Sequence, residues 1–332
     1  MVESQLLFAG FKLATPHSQP NSELSTVNSE LSQGMSLLDP RALAKIGNMA
    51  LLARSVVEGT LTGLHRSPTK GSSIEFAEHK PYSQGDEIRH IDWKVYGKSE
   101  RYYVKQFEEE TNLRAWLVVD GSGSMGYKAG ERISKLDYAK MIAASLAYML
   151  LGQSDAVGLA ATGGGGEAAL LPTRASSSHL TVICDALQGL VAQGDRKITG
   201  AIEKISESVR RRSLVVVISD LLEEPDVIGR TLRRLAGRKT DVIVFHLQDP
   251  DEVEFPFRDP IRFLDMESPQ EVIADPRAIR TAYREAMAEH IEALTTVCRA
   301  SNIDYHRVTT DLALDQVLVR FLGWREKIAG VR

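Results

Sequence analysis

The stretch AWLVVDGSGS, residues 115–124, joins an unbroken apolar run to a polar, glycine-rich turn. An apolar run without alternation is typical of a β-strand that is buried on both faces, as in a parallel sheet. Two further runs, residues 214–218 and 241–247, have the same character, and segments with helical periodicity separate the three. Buried strands that alternate with helices predict an α/β fold with a doubly wound, mostly parallel, Rossmann-like sheet over residues 113–332.

Helices and shorter strands are predicted for the rest of this region. Asp275-Pro276 places an N-cap residue before a proline at the first helical position, which indicates that a long helix begins there. The predicted helices are residues 136–151, 178–190, 199–209, 226–236, 276–300 and 312–321, and the further strands are residues 156–161, 168–171 and 303–308, with a hairpin formed by 261–264 and 271–274.

The N-terminal third of the chain has a different character. Residues 1–34 are rich in Ser, Asn, Gln and Pro, so they cannot bury enough apolar surface to offset the entropy of ordering. We therefore predict that they form a disordered extension. Residues 35–112 predict a small N-terminal α+β subdomain, because helical periodicity covers residues 37–57 and short strands are indicated at 72–77 and 101–107.

Composition argues against several classes of protein. Lys plus Arg number 40 and Asp plus Glu 44, and the net charge of −4 argues against nucleic acid as the main partner. The two cysteines are too few for a disulfide scaffold or a cysteine-rich zinc module. The longest apolar stretch, residues 141–151, is far shorter than the ~20 residues of a membrane span. The N-terminus lacks the pattern of a signal peptide, so we expect a cytoplasmic protein.

Oxygen-bearing side chains follow two of the predicted buried strands. Asp120, Ser122 and Ser124 alternate with glycines directly after the first strand, and Asp220 follows the strand of residues 214–218. Thr199 opens a helix between the two strands and could add a third hydroxyl. Ligands of open α/β sheets lie beyond the carboxyl ends of the strands. Carboxylate and hydroxyl oxygens are hard ligands, so the sequence predicts a site for Mg²⁺ or Mn²⁺ at this edge.

A simpler interpretation exists for each segment taken alone. The Asp120 turn could be a solvated loop before a helix, and Ser219-Asp220 could cap the next helix. Their combination at the ends of two buried strands, with a hydroxyl residue between them in the chain, favours the metal site.

The set Asp120-x-Ser122-x-Ser124, Thr199 and Asp220 resembles the metal-ion-dependent adhesion site of von Willebrand factor type A domains. The resemblance implies that the serine and threonine hydroxyls approach a divalent cation, and that the aspartates contact it directly or through water. It also implies that an acidic residue of a partner completes the coordination. Lys197-Ile198 precedes Thr199 where a glycine-rich approach is expected, so another hydroxyl could take its place.

A second resemblance covers most of the chain. The segments IEFAEHKPY (74–82), GDEIRHIDWKVY (85–96), VKQFEEE (104–110) and LVVVISDLL (214–222) are similar to the signature of the domain of unknown function 58 family. That resemblance implies a von Willebrand factor A-like domain that works with a MoxR-type AAA+ ATPase. The charged segment around Trp93 is either an ion-paired structural element or a docking surface.

Three functions are compatible with the predicted site. The first is a metal-dependent protein-binding module or adaptor that recruits an acidic client surface and assists its assembly or maturation. The second is a metal-dependent phosphoester hydrolase, which needs a base or nucleophile beside the metal. The eight histidines are scattered and no P-loop motif occurs, so we expect a binding module and not an enzyme. The third is a structural scaffold without a metal.

Overall fold

The computed structural model divides the chain into two compact units, Met1–Leu64 with Leu113–Arg332, and His65–Asn112. The residues that the structure describes are 11–13, 48–64, 79–81, 96–97, 103–105, 113–163, 169–195, 197–209, 213–238, 240–259, 261–266 and 271–330. In chain order their elements are β1 (Phe11–Leu13), α1 (Met49–Leu64), β2 (His79–Pro81), β3 (Tyr103–Lys105), β4 (Arg114–Val119), α2 (Lys135–Gly152), β5 (Ala156–Ala161), β6 (Ala169–Arg174), α3 (His179–Gln188), α4 (Ile198–Ser206), β7 (Ser213–Ser219), α5 (Pro225–Ala236), β8 (Asp241–Gln248), α6 (Pro250–Glu254), β9 (Ile261–Asp265), β10 (Glu271–Ala274), α7 (Pro276–Ala300), β11 (Asp304–Thr309) and α8 (Leu314–Gly330).

A six-stranded sheet organises the larger unit, in the order β11-β8-β7-β4-β5-β6. Every neighbouring pair is parallel except β5 and β6, which are antiparallel. The predicted α/β class and the mostly parallel sheet are therefore confirmed.

The direction of winding reverses between β4 and β7. From β4 the chain continues to β5 and β6 on one side, and from β7 it continues to β8 and β11 on the other. The crossover helix α2 packs with the side chains of one sheet face, and α5 packs with those of the opposite face. The carboxyl ends of β4 and β7 therefore flank the topological switch point, where open α/β sheets bind their ligands.

Two hydrophobic cores explain why the strand sequences are continuously apolar. Leu117 of β4 and Val216 of β7 belong to the core beneath α2, whereas Val118 and Val217 belong to the core beneath α5. Successive side chains of a strand point to opposite faces, so a sheet covered on both faces has no polar face to alternate with.

Helix α1 belongs to the larger unit and not with residues 65–112, where the predicted subdomain of residues 35–112 placed it. Its buried residues Leu52, Ala53, Val56 and Val57 join the core that contains α2 and α8. Their spacing forms one apolar stripe, and burying that stripe against α2 is what fixes the helix there. Residues 37–47 of the helix predicted over residues 37–57 lie outside the described residues.

A separate sheet, in the order β1-β9-β10, is antiparallel throughout. Its hairpin of β9 and β10 is the one predicted from the sequence. Lys12 of β1 pairs with Leu264 of β9, so three residues of the predicted disordered extension, residues 1–34, are held by strand pairing. The rest of that extension lies outside the described residues.

In the smaller unit, β2 and β3 form a two-stranded antiparallel sheet in which Lys80 lies opposite Val104. Strand β3 falls inside the strand predicted over residues 101–107. The strand predicted at residues 72–77 and the segment around Trp93 lie outside the described residues.

The long helix α7 begins at Pro276, as predicted. The Asp275 side chain accepts a hydrogen bond from the Arg277 N–H at 2.9 Å and so caps the first turn. Within the described ranges, no helix combines the length and the apolar character required to cross a membrane.

Candidate functional site

The carboxylate of Asp120 lies directly after β4 and is buried. Its Oδ1 accepts hydrogen bonds from the Ser122 N–H at 2.9 Å and from the Thr162 hydroxyl at 3.0 Å. Its Oδ2 accepts a hydrogen bond from the Ser219 hydroxyl. Donors from the ends of β4, β5 and β7 therefore hold one carboxylate in a fixed orientation at the switch point.

The two serines of the turn lie together beside this carboxylate. The Ser122 and Ser124 hydroxyl oxygens are 3.0 Å apart and both side chains are buried. Ser124 lies in the 3₁₀ turn Gly123–Gly126, and Ser122 is the residue that caps the start of this turn. The motif therefore brings its two hydroxyl oxygens into contact.

Glycine at position 121 is required by a close backbone contact. A Cβ atom there would lie 2.2 Å from the carbonyl oxygen of Thr162, closer than non-bonded atoms can approach. The Gly121 N–H donates to the Thr162 hydroxyl at 2.9 Å, and its carbonyl accepts from the Gln193 N–H at 3.1 Å. The Gly123 N–H donates to the Gly194 carbonyl at 2.9 Å. Two neighbouring loops therefore clamp the backbone of the motif.

Asp220, at the end of β7, is paired with an internal ammonium group. The Nζ of Lys135 lies 2.8 Å from Asp220 Oδ2 and 2.5 Å from Glu252 Oε1, and the Lys135 side chain is completely buried. The ring of Tyr127 lies 5.9 Å from the same Nζ, within the range of a cation–π interaction. Lys135 begins α2, so the ion pairs connect this helix to the end of β7 and to α6.

The protonation equilibria of the site follow from its burial. Burial, and then the negative charge of Asp220, raise the pKa of Asp120 from 3.8 to about 6. The influence of Asp220 means that the two predicted aspartates interact electrostatically across the strand ends. Burial also raises the pKa of Glu252. Burial alone would lower the pKa of Lys135, but the two carboxylates outweigh it and raise that pKa, so the ammonium stays charged.

Thr199 lies near the start of α4 and is bound to a carboxylate that the sequence analysis did not include. Its hydroxyl donates to Glu223 Oε2 at 2.6 Å, and its N–H donates to Glu223 Oε1 at 3.1 Å. A hydroxyl that donates its proton to a carboxylate still has lone pairs directed elsewhere. The predicted role of Thr199 therefore remains chemically available.

The turn after Asp220 is fixed by its own set of contacts. Leu221 adopts a left-handed backbone conformation with φ 50°, which is uncommon for a residue other than glycine. Its N–H donates to the Ser219 hydroxyl at 2.9 Å, and the His290 ring Nε2 lies 2.9 Å from its carbonyl oxygen. These contacts from β7 and α7 hold the turn after Asp220 in this backbone conformation.

Two buried histidines lie close enough to Asp220 to be affected by its charge. The His290 Nε2 is hydrogen-bonded to the Leu221 carbonyl oxygen, and burial lowers the pKa of His290. Burial also lowers the pKa of His246, to about 3, and its Nδ1 is hydrogen-bonded to the Tyr305 hydroxyl. Both rings are therefore buried, hydrogen-bonded and uncharged at neutral pH.

Several residues of the site were missed because their sequence signals are weak. Thr162 and Ser219 are hydroxyl residues at strand ends, and that position is the one signal that could have identified them. Glu252 completes a capping box with Asp249, and the spacing Asp-x-x-Glu after a buried strand indicates such a box. Lys135 and Glu223 have no local signal, since their partners lie far away in the sequence.

The types of oxygen found here match those that a small divalent cation prefers. Asp120 and Asp220 carry carboxylates, and Ser122 and Ser124 carry hydroxyls, which are the oxygen ligands that Mg²⁺ takes in proteins. The Lys135 ammonium, bound to Asp220, occupies a position where the carboxyl ends of the strands attract a positive charge. The described part of the chain has no group of three or more His, Cys, Asp and Glu residues arranged to hold a metal, so hydroxyls would have to take part in any such site.

The sequence matches the family described as "Protein of unknown function DUF58" over residues 78–293, which is more than half of the chain. Its relatives include the uncharacterized protein Rv1480 of Mycobacterium tuberculosis strain H37Rv and the uncharacterized protein Mb1516 of Mycobacterium bovis. Each is 29% identical over 296 residues, a length that covers 87% of this chain and 91% of the relative.

Solved structures with a similar arrangement were also found. They include a conserved hypothetical protein, BatB, from Bacteroides thetaiotaomicron, with 15% identity, coverage of 65% of this chain and 99% of that one, and a TM-score of 0.43. An aerotolerance-related membrane protein from Bacteroides fragilis has 18% identity, coverage of 62% and 96%, and a TM-score of 0.42. The SpRpn10 VWA domain has 12% identity, coverage of 63% and 94%, and a TM-score of 0.38. These scores are low, so the fold assignment rests on the sheet order itself.

Proposed function

Because the chain belongs to the DUF58 family of proteins of unknown function, as its sequence motifs predicted, we propose that it is a protein-interaction module with a divalent-cation site at the switch point. In this proposal Asp120, Ser122, Ser124 and Asp220 hold Mg²⁺ or Mn²⁺, and Thr199 contributes its hydroxyl. When bound, the cation supplies positive charge and an open coordination position for a carboxylate of a partner.

One observation supports the proposal most strongly. Asp120 is a buried carboxylate that accepts three hydrogen bonds, yet burial and Asp220 still raise its pKa to about 6. Burial and the neighbouring charge of Asp220 place the ionised Asp120 carboxylate under electrostatic stress at the mouth of the sheet. A bound cation would relieve the stress, and strained groups of this kind cluster at functional sites.

Neighbouring residues would orient and polarise the proposed ligands. Ser219 and Thr162 keep the Asp120 carboxylate oriented, and the clamped backbone around Gly121 presents the two serine hydroxyls. Glu223, which accepts a hydrogen bond from the Thr199 hydroxyl, would make that oxygen a better electron donor, as outer partners of metal ligands do.

The proposed partners follow from this chemistry and from the family resemblance. A cation with one open position attracts Asp or Glu, so the partner or client surface would be acidic. The resemblance stated above also implies a MoxR-type AAA+ ATPase that works with this adaptor in the assembly or maturation of clients.

The first experiment is a calorimetric titration of the purified protein with MnCl₂, followed by MgCl₂ in competition. The wild type should bind one ion, and Asp120→Asn should bind none because it removes the central anionic ligand. Asp304→Asn is the matched control, since Asp304 is the first residue of β11 and lies at the amino ends of the parallel strands, away from the candidate site. A ligand at tenfold excess over Kd adds about 1.4 kcal/mol of stability, so Mn²⁺ should also raise the melting temperature of the wild type.

The second experiment tests recognition of carboxylates. Mn²⁺-loaded protein should bind an immobilised decaglutamate peptide, should ignore decaglutamine, and should be released by EDTA. The purified MoxR-type ATPase of the same organism is then tested in the same format. Equal retention by wild type and Asp120→Asn, or retention in the presence of EDTA, would contradict a metal-bridged contact.

A further inference from the structure

Lys135 places a charged group in a buried position at the start of α2. It is the first residue of α2, yet its side chain is completely buried and turns toward the sheet edge. Lysine is almost never fully buried unless it is paired. Here the pairing reaches Asp220, which lies 85 residues away in the sequence, and Glu252, which lies 117 residues away.

The ion pairs of Lys135 determine how much negative charge the candidate site presents. Asp120, Asp220 and Glu252 contribute three negative charges and Lys135 one positive charge, so these four groups carry a formal charge of −2 when all are ionised. The Glu223 carboxylate beside Thr199 adds one more negative charge. A divalent cation changes the total to −1 with Lys135 present and to −2 without it, so loss of Lys135 would increase the repulsion of an incoming carboxylate.

We propose that Lys135 is a built-in competitor at the cation site: its ammonium holds Asp220, weakens divalent-ion binding, and makes the loaded site less negative, which favours an acidic partner. This inference rests on the function proposed above and deepens it. Lys135 would determine specificity in this way: its charge lowers the affinity of the site for the ion and raises the affinity of the loaded site for the partner's carboxylate.

A purely structural role of Lys135 makes a different prediction. If the lysine only connected α2 to α6 through Glu252, its loss would change stability and leave ion affinity unaltered. If only the total charge mattered, removing one positive and one negative charge together would leave ion affinity at the wild-type value. The proposal instead locates the competition on the Asp220 oxygen, 2.8 Å from the Lys135 Nζ.

Calorimetric titration with MnCl₂ separates these possibilities. Lys135→Met should bind Mn²⁺ at least ~tenfold more tightly, because a like charge next to the ion is removed. The double variant Lys135→Met/Glu252→Gln has the wild-type formal charge and no buried unpaired Glu252, and it should also bind more tightly. Lys204→Met is the control, because Lys204 is an exposed lysine in the last turn of α4; it should bind as the wild type does.

A third variant changes the affinity in the opposite direction. Glu252→Gln leaves the Lys135 ammonium with Asp220 as its remaining charged partner, so Mn²⁺ binding should become weaker than in the wild type. This variant keeps the buried lysine paired, and it tests the proposal even where the Lys135 substitutions prevent folding. Circular dichroism of each variant establishes that it is folded.

Binding of decaglutamate to the Mn²⁺-saturated proteins completes the experiment. Lys135→Met should bind this peptide more weakly than the wild type at saturating Mn²⁺, despite its tighter hold on the ion. Unchanged Mn²⁺ affinity in folded Lys135→Met, in the double variant or in Glu252→Gln would overturn the role of Lys135 and leave the proposed function standing. Failure of the wild type and all variants to bind Mn²⁺ would overturn both.

Discussion

Substituting Asp120 by Asn should change how the stability of the metal-free protein depends on pH. The folded-state pKa of Asp120 is raised from 3.8 to about 6, so folding favours the protonated carboxyl group. The stability that this group contributes is therefore fully present below pH 3.8 and is lost as the pH rises through about 6. Asn is nearly isosteric and stays neutral, so the variant lacks this loss.

The size of the effect follows from the shift in pKa. A shift of about 2 units at about 1.4 kcal/mol per unit corresponds to roughly 3 kcal/mol. Asp120 is 3% exposed, so solvent does little to screen the effect. Between pH 4 and pH 7, the wild type should lose roughly 2–3 kcal/mol relative to Asp120→Asn.

Urea unfolding followed by circular dichroism in the presence of EDTA measures this difference at each pH. Asp120→Asn loses part of the hydrogen bonding to the carboxylate, but that cost is the same at every pH and cancels when the pH profiles are compared. The two profiles should diverge as the pH rises, and added Mn²⁺ at pH 7 should restore only the wild type. Parallel profiles would refute the view that Asp120 is an electrostatically stressed anion.

Three further predictions concern the backbone, the hydrogen bonds and the N-terminus. Gly121→Ala should destabilise the protein by roughly 1–3 kcal/mol, because its Cβ would lie 2.2 Å from the Thr162 carbonyl oxygen; urea unfolding checks this, and a neutral result would contradict the close contact. Ser219→Ala removes a hydrogen bond that lowers the pKa of Asp120, so Mn²⁺ binding should require a higher pH than in the wild type; an unchanged pH profile of binding argues against this role. Deleting residues 1–34 should lower the melting temperature by a few degrees at most, since the described residues of this segment, Phe11–Leu13, pair only with β9. Loss of cooperative unfolding on heating would contradict this.

The fold was predictable where each strand carries its own signal. The apolar runs in β4, β7 and β8 were recognisable because a strand between two cores has apolar residues on both faces, as Leu117 and Val118 show. The order of the strands was not predictable, because it depends on which strands pair across long stretches of chain. Placing β4 at the centre, with β7 beside it, is what brings Asp120 and Asp220 together.

Local patterns also failed to assign helix α1 to its unit. The apolar spacing predicted the helix, but Leu52 and Val56 pack against α2, which begins more than 70 residues later in the chain. A periodic pattern shows that one face is buried and does not show which surface covers it.

The site was predictable to the extent that it is local in sequence. Asp120, Ser122 and Ser124 lie in one turn, and Asp220 follows a strand end, so position alone identified them. The partners that tune the site come from distant segments: Lys135 binds Asp220, and Glu223 binds Thr199. A charged residue of this kind is indistinguishable in sequence from one on a solvated helix surface.

The most direct test of the divalent-cation site is anomalous X-ray diffraction from crystals of the wild type grown or soaked in MnCl₂. The account predicts one manganese peak in contact with the side-chain oxygens of Asp120, Ser122 and Ser124, and no such peak in crystals of Asp120→Asn. A wild-type peak at another place, such as the Glu252 carboxylate, or no peak at a saturating Mn²⁺ concentration, would contradict it.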